Sequence, residues 1–162
     1  PHSGYWTPHS GYWIMVIYLG IGTNLGDREA NLQTALQLLD ERVGERLACS
    51  SVYRSAPHGF VSDNEFANIV AVYETEYSPE EVLLLTQQME REMGRTRKSV
   101  NGVYHDRVID IDLLLVHVGN RESGVGNRIE YTSETLTLPH PRMHKREFVM
   151  IPLREVEQIL NI

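Results

Sequence analysis

The chain has 162 residues, of which 41% are hydrophobic and 23% charged, and its formal net charge is -7 at pH 7. This length suits one well-buried core and is too short to predict two domains. The acidic balance argues against nucleic acid and anionic membrane surfaces as partners, because both favour basic faces.

The first 13 residues contain a duplication, Pro-His-Ser-Gly-Tyr-Trp at 1–6 and again at 8–13, without apolar periodicity. We therefore interpret residues 1–13 as a processing remnant outside the fold, and predict one domain over residues 14–162. The apolar run 13–19 is far shorter than the roughly 20 residues of a membrane span. The single cysteine, Cys49, cannot form an internal disulfide, so we expect a buried thiol and a cytoplasmic location.

The first predicted strand covers residues 14–19 and runs into a loop at 20–27 that is rich in turn-forming residues. The order of strand, glycine loop and helix suggests a nucleotide-binding loop, but Leu25 replaces the third glycine of that motif and no phosphate-loop lysine follows. Asp27 can cap the next helix. Apolar residues recur in that helix at the spacing of one face, at Leu32, Ala35, Leu36 and Leu39.

Two further strands are predicted at 47–53 and 66–75, and the long linker 54–64 between them suggests a functional segment. Ser78 through Glu81 form a capping box with proline at the first helical position, and this helix runs until Gly94. Gln87 and Glu90 share one side of it near its C-terminal end. They either face the basic loop that follows or are ordinary solvent-facing polar residues.

The stretch 95–115 joins a basic loop to an acidic strand. Asp110 and Asp112 point to one face because side chains alternate along a strand, and the apolar residues Ile109, Ile111 and Leu113 point to the other. Two carboxylates about 6 Å apart repel by roughly 3 kcal/mol at an effective dielectric constant near 20, so a cation should lie between them. Mg²⁺ with phosphate ligands is one candidate. A network of Arg95, Arg97 and Arg107 is the other, and the spacing leaves both open.

Residues 118–130 repeat Val-Gly-Asn-Arg and are predicted to form a flexible hairpin or insertion. Pro139 and Pro141 keep His140 out of a regular helix, and short helical turns are predicted up to residue 160. Without other information His140 is a surface-loop histidine. The order of elements predicts an α+β fold with helices on a mainly antiparallel sheet.

Six motifs in this order resemble the 6-hydroxymethyl-7,8-dihydropterin pyrophosphokinases of folate biosynthesis over residues 16–156. They are Leu19-Gly-Ile-Gly-Thr-Asn24-Leu-Gly-Asp27; Ser51-Val-Tyr53-Arg-Ser55 with Gly59; Phe66-Ala-Asn68; Glu90 to Gly94-Arg95-Thr-Arg97; Arg107-Val-Ile-Asp110-Ile-Asp112; and Leu138-Pro139-His140-Pro141-Arg142 with Arg146 and Phe148-Val149. The resemblance implies a ferredoxin-like three-layer α/β/α sandwich. It also implies a monomer that transfers the β,γ-diphosphate of ATP to a dihydropterin and uses two Mg²⁺ ions.

The resemblance also implies site residues. Asp110 and Asp112 would hold the metal ions and act in catalysis with Arg95 and Arg107. The ATP site would comprise Gln87, Glu90, Arg95, Arg97, Arg107, Ile111, His140 and Arg146. The pterin pocket would comprise Ser55, Ala56, His58, Phe66, Asn68, Tyr104 and Phe148.

Three places depart from the family pattern, and one of them is the insertion at 118–130. Tyr104-His105-Asp106 stands where Trp-Gly-Pro is common, and His58 stands where an aliphatic residue is usual. Two hypotheses therefore follow, a pyrophosphoryl transferase and a non-catalytic nucleotide- or pterin-binding domain that keeps the fold. The presence of both Asp110 and Asp112 favours the transferase.

Overall fold

A computed structural model describes residues 13–55, 65–94, 108–120 and 126–162, and within these ranges the chain forms eight strands and three α-helices. In chain order they are β1 (Trp13–Thr23), α1 (Arg28–Arg42), β2 (Gly44–Cys49), β3 (Tyr53–Ser55), β4 (Phe66–Thr75), α2 (Pro79–Glu92), β5 (Asp110–Asn120), β6 (Asn127–Ile129), β7 (Tyr131–Thr132), β8 (Thr137–Leu138) and α3 (Glu147–Leu160), with a 3-10 helix at Met143–Lys145. None of these helices is long and apolar enough to cross a membrane.

Six strands form one antiparallel sheet in the order β2-β4-β1-β5-β6, and β3 pairs with β4 beyond the end of β2. A separate pair is formed by β7 and β8. The pairing of β6 with β5 confirms the predicted hairpin for the part of 118–130 that the structure describes. The mainly antiparallel α+β architecture confirms the predicted fold class.

The sheet is the middle of three layers, as its alternating side chains require. On β1, Met15 and Ile17 belong to a core cluster shared with α1 and α2, and Val16 and Tyr18 belong to a second cluster beneath α3. Two helices therefore cover one face of the sheet and α3 covers the other.

Both predicted helix starts are present. The Asp27 side chain accepts a hydrogen bond from the backbone N–H of Ala30 at 3.1 Å and so caps α1. At α2, Ser78 and Glu81 each accept a bond from the other's backbone N–H, which completes the capping box.

The loop predicted at 20–27 is wrong in its first half, because β1 continues to Thr23. Gly20 and Gly22 pair with β4 on one side and β5 on the other. Hydrogen bonding to two neighbouring strands therefore outweighs the local turn preference of glycine.

Two other predicted boundaries are also wrong. The strand predicted at 47–53 is divided into β2 and β3, because the N–H and hydroxyl groups of Ser51 donate to the Glu155 carboxylate of α3 instead of pairing along β4. The predicted short turns before residue 160 form the continuous helix α3. Its buried stripe of Val149, Leu153 and Val156 holds it on the sheet despite Pro152.

A β-bulge divides β5 into two halves. Tyr18 pairs with Leu115 and Leu19 pairs with Leu113, so Leu114 is an extra residue on β5. Leu114 and Leu115 consequently both belong to the cluster beneath α3. The register with β1 therefore differs by one residue between the two halves of β5. In the first half, Asp110 and Asp112 lie on the α3 side of the sheet.

Candidate active site

Asp110 and Asp112 open β5 and share one face of the sheet, as predicted from their spacing. The structure shows that this is the α3 side. The residues between and beside them, Ile109, Ile111 and Leu113, belong to the opposite core cluster. Arg146, just before α3, brings its Nη1 to 3.7 Å from Oδ2 of Asp112. The ion-pair network considered from the sequence involved Arg95, Arg97 and Arg107, which lie outside the described residues.

Two glycines of β1 form the floor beside these carboxylates. Gly20 is the register partner of Asp112, and Gly22 is the partner of Asp110 on one side and of Asn68 on the other. A Cβ at Gly22 would lie 2.5 Å from the Asn68 side-chain oxygen Oδ1. These glycines are not among the site residues predicted from the sequence, although their alternate spacing on a strand is the signal that could have identified them.

Three residues of the predicted pterin pocket come together on the other side of this floor. Ser55 pairs with Phe66 across β3 and β4, and Nδ2 of Asn68 donates to Oγ of Ser55 at 3.5 Å, the outer limit of a hydrogen bond. Asn68 is only 7% exposed. Ala56, His58 and Tyr104, predicted for the same pocket, lie outside the described residues.

Phe148 of the predicted pterin pocket lies at the start of α3. The guanidinium carbon of Arg146 is 5.7 Å from the centroid of its ring, which is within the range of a cation–π contact. Arg146 therefore lies between the carboxylate of Asp112 and this aromatic ring.

On the α2 side, Glu90 is buried, with 6% exposure, and Oε2 of its carboxylate accepts the backbone N–H of Ile111 at 2.9 Å. The interpretation of Glu90 as a solvent-facing residue is therefore wrong. The Ile111 side chain is buried in the core cluster with α1 and α2. Consequently only its main chain could contact a nucleotide on the Asp110 side of the sheet. Gln87, three residues before Glu90, is half-buried.

His140 is held against the edge of β5 by its backbone, whose N–H donates to the Leu114 carbonyl at 2.6 Å. Its Nδ1 accepts the backbone N–H of Arg142 at 3.1 Å, so the neutral ring carries its proton on Nε2. Burial, followed by the charges of Arg146 and Arg142, lowers the pKa of His140, and Asp110 opposes this shift. A neutral imidazole with one outward donor is the result.

The structure thus brings together Asp110, Asp112, Arg146, Phe148, Asn68, Phe66 and Ser55 on one face of the sheet. Glu90 and His140 bind the backbone of β5 from beside it. Arg95, Arg97 and Arg107 stay predictions, because residues 95–107 are outside the described ranges.

Comparisons with known proteins identify the family of this chain. The family model described as 7,8-dihydro-6-hydroxymethylpterin-pyrophosphokinase (HPPK) matches residues 18–158. A relative from Porphyromonas gingivalis named 2-amino-4-hydroxy-6-hydroxymethyldihydropteridine pyrophosphokinase is 45% identical over 146 residues, which is 90% of this chain and 93% of the relative. The Bacillus subtilis protein of the same name is 38% identical over 144 residues, 88% of this chain and 78% of the relative.

Longer proteins contain a similar region. The folic acid synthesis protein fol1 of Schizosaccharomyces pombe is 37% identical over 139 residues, which are 85% of this chain and 17% of that protein. Among solved structures, an HPPK-DHPS in complex with substrates has a TM-score of 0.64 at 14% identity, covering 88% of this chain and 40% of that chain. The Plasmodium falciparum HPPK-DHPS triple mutant has a TM-score of 0.61 at 15% identity, covering 92% and 42%. These two structural likenesses support the fold.

Proposed function

The chain belongs to the 7,8-dihydro-6-hydroxymethylpterin-pyrophosphokinase family, and we propose that the α3-facing side of β1, β4 and β5 is its active site. Its reaction is ATP-dependent pyrophosphoryl transfer in folate biosynthesis. The hydroxymethyl oxygen of the dihydropterin bonds to the β-phosphorus of ATP and loses its proton. The bond between that phosphorus and the oxygen bridging to the α-phosphorus breaks, and AMP leaves.

Two Mg²⁺ ions fit the carboxylate pair. Asp110 and Asp112 offer hard oxygen ligands on one strand face, and their register partners on β1, Gly20 and Gly22, add no side chain beside them. In the described part of the chain no three His, Cys, Asp or Glu residues cluster as a metal site, so phosphate oxygens and water would complete the coordination. When bound, the ions neutralise charge that develops on the transferred phosphates.

Arg146 is proposed to bind a phosphate oxygen of ATP. It is the N-cap residue of α3, and its side chain makes no capping hydrogen bond there. A cation at a helix N-terminus is unfavourable to the helix dipole, so helix stability does not explain an arginine at this position. Its contacts with Asp112 and Phe148 hold the guanidinium at the boundary between the metal and pterin sides. Arg95, Arg97 and Arg107 are proposed to provide the remaining positive charge.

The adenosine end of ATP is proposed to lie toward α2 and His140. The neutral ring of His140, with its proton on Nε2, can donate one hydrogen bond to the nucleotide. Gln87 and the main chain of Ile111 are the proposed partners from the α2 side. The position of His140 is fixed by its backbone bond to Leu114, which argues against an incidental surface histidine.

The pterin is proposed to bind between Phe66 and Phe148, with the Asn68 carboxamide on the polar edge of the heterocycle. Burial of Asn68 raises the energetic cost of leaving its amide unpaired, so a ligand that completes its hydrogen bonds is favoured. Ser55 orients the amide by accepting from Nδ2. Ala56, His58 and Tyr104 are proposed to complete the pocket.

The observation that carries this assignment is the cross-strand row Asn68–Gly22–Asp110, which places the proposed pterin contact and a proposed metal ligand on either side of one glycine. Incubation with ATP, Mg²⁺ and 6-hydroxymethyl-7,8-dihydropterin should release AMP and form the diphosphorylated pterin. Release of ADP would contradict transfer of a diphosphate. Binding of both ligands without any product would instead support the non-catalytic binding domain.

We further propose a monomer working in a reducing compartment, in keeping with the cytoplasm. The single cysteine, Cys49, is a free thiol, and burial raises its pKa, which lowers its reactivity. Analytical ultracentrifugation of the full chain should give a mass near 18.6 kDa. A dimer at micromolar concentration would contradict the monomer.

A further inference from the structure

Among the residues that the structure describes, the first half of β5, which carries Asp110 and Asp112, is a sheet edge. β1 pairs with it on one side, whereas β6 pairs with β5 only at Val116, His117 and Val118. Within the described residues no strand covers the other side of Ile111. Backbone groups at such an edge need partners from elsewhere, because an unpaired buried N–H is costly.

Glu90 supplies that partner from α2. Its Oε2 accepts the Ile111 N–H at 2.9 Å, and the side chain is 6% exposed. Burying a carboxylate is unfavourable unless hydrogen bonds or charges compensate. An apolar residue would pack at this helix position without that cost, so the contact of Glu90 with β5 calls for an explanation beyond helix packing.

Ile111 is the residue between the two proposed metal ligands. Its N–H belongs to the peptide bond that follows Asp110, and the next peptide bond leads to Asp112. Fixing this N–H therefore fixes the orientation of the backbone from which both carboxylates project. We propose that Glu90 is a positioning residue for the Asp110–Asp112 pair, acting through the Ile111 backbone. This inference rests on the proposed Mg²⁺ site and deepens it.

The competing role is the direct contact with ATP that the family resemblance implies for Glu90. The two roles differ in what they require of the side chain. Positioning requires an acceptor oxygen at the distance of the native carboxylate, and it acts on metal binding. A direct contact with the adenosine part of ATP acts on nucleoside affinity whether or not metal is present.

Three substitutions of Glu90 separate these requirements. Glu90→Gln keeps an acceptor oxygen at the same reach and removes the charge. Glu90→Asp keeps the charge and withdraws the oxygens by about one C–C bond, roughly 1.5 Å. Glu90→Ala removes both, and the other two variants keep the test available if this one fails to fold.

Glu80→Ala is the matched control. Glu80 lies in the first turn of the same helix, and its carboxylate accepts hydrogen bonds from Tyr131, Ser133 and Thr135 of the β7–β8 segment. These bonds lower the pKa of Glu80 against the opposing effect of burial. Losing them should lower the melting temperature without changing metal binding.

The first measurement is Mg²⁺ affinity by calorimetry in the presence of α,β-methylene-ATP, in which carbon replaces the oxygen of the scissile bridge. The second is the hydrogen-exchange protection of the Ile111 amide in the ligand-free protein. Loss of an outer-sphere partner typically weakens metal binding about 10–100-fold. We expect that loss, with deprotection of Ile111, for Glu90→Asp and Glu90→Ala. Glu90→Gln should stay within about threefold of the native protein, and Glu80→Ala should match it.

Adenosine affinity, measured without metal, tests the competing role. If Glu90 is a positioning residue, adenosine affinity should not change in any Glu90 variant. Equal loss of adenosine and Mg²⁺ affinity in Glu90→Ala would overturn the proposal. So would unchanged Mg²⁺ affinity in both Glu90→Asp and Glu90→Ala. If the native protein itself did not bind Mg²⁺, the proposed metal site would be wrong. That result differs from failure of the Glu90 role, in which the native protein and the Glu90 variants bind Mg²⁺ equally well.

Discussion

Nη1 of Arg146 lies 3.7 Å from Oδ2 of Asp112, which pairs a residue at the start of α3 with one on β5. Asp112 is 36% exposed, so this ion pair should contribute no more than about 1 kcal/mol to folding. We expect Asp110→Asn and Asp112→Asn each to abolish pyrophosphoryl transfer and to leave unfolding free energy unchanged within that range.

Thermal melts with and without Mg²⁺ and ATP test this expectation. Ligand stabilisation should disappear in both variants, since the proposed metal ligands are lost. A variant that melts several degrees lower without ligand but keeps native Mg²⁺-ATP stabilisation would show that the carboxylates serve an ion-pair network.

Gly22→Ala should weaken pterin binding selectively. The new Cβ would lie 2.5 Å from Oδ1 of Asn68, so the carboxamide must turn away from Ser55. Loss of one oriented amide contact costs roughly 1.4 kcal/mol, or about tenfold in pterin affinity. Gly20→Ala is the control, because its Cβ would meet Leu114 at 3.4 Å, an ordinary contact. Calorimetric titration with pterin alone compares the two, and equal losses would mean general damage to β1.

Much of the site could be predicted because its signals are local. The alternation that directs Asp110 and Asp112 to one face requires two residues of one strand, and the caps at Asp27 and Ser78 require four consecutive residues. Structural facts that depend on distant chain segments were not predictable in this way. The strand conformation of Gly20 to Thr23 depends on β4 and β5, and the burial of Glu90 depends on Ile111, which is 21 positions away.

The bulge at Leu114 shows the same limit. Leu113, Leu114 and Leu115 are identical side chains, so nothing in their order indicates which of them is the extra residue. The register of β1 decides it, by pairing Tyr18 with Leu115 and Leu19 with Leu113.

The first two residues of α1 should tune pterin affinity. Arg28 donates to the Glu65 carbonyl, and Glu29 pairs with Arg54 at 3.1 Å, so both neighbours of the Ser55–Phe66 pair are tied to this helix. Exposed ion pairs contribute about 0.2–1 kcal/mol, so Glu29→Gln should raise KM for the dihydropterin by about 1.4- to 5-fold, with KM for ATP unchanged.

The control for this effect is Arg42→Ala, which breaks an exposed pair with Glu92 at the other end of α1. It should change neither KM. The exchanged variant Glu29→Arg with Arg54→Glu should restore the pterin KM. Similar KM changes for both substrates would contradict a local role.

Tyr73→Phe should destabilise the fold by about 1 kcal/mol. The buried hydroxyl donates to Oδ1 of Asp40 at 2.7 Å and to the Leu36 carbonyl at 3.3 Å, and burial, followed by Asp40, raises the pKa of Tyr73. Urea unfolding measures the loss. The exposed Tyr77, changed to Phe, is the control and should stay within about 0.5 kcal/mol of the native protein. Equal stability of the two variants would mean that the Asp40 bond contributes nothing net.

Acid should destabilise the protein in part through His117. Its Nδ1 is buried without a hydrogen-bond partner in the described chain, and its ring stacks on Tyr18 with centroids 5.2 Å apart. Burial is the main cause that lowers the pKa of His117, Arg128 lowers it further, and a backbone bond to Gly126 opposes them. The unfolded chain therefore takes up the proton first, so this contribution is present above pH about 6.5 and is lost as the pH falls below it.

Denaturant unfolding between pH 7.5 and 5 tests the sign. His117→Gln should make the decline below pH 6.5 shallower. Arg128→Ala should make the decline smaller, because removing a neighbouring positive charge raises the folded-state pKa of the imidazole toward its unfolded value. A steeper decline in His117→Gln would show that the histidine is protonated in the folded protein.

The glycine floor has a consequence for the evolution of drug resistance. A planar inhibitor that rests on the backbone of Gly22 contacts atoms that every substitution leaves in place, since a mutation can only add a side chain there. The first atom of that side chain would collide with Asn68, which the natural substrate is proposed to use as well. Escape from such an inhibitor by mutation at Gly22 would therefore carry its own fitness penalty, whereas an inhibitor held by peripheral side chains could be evaded by substitutions that leave Asn68 in place.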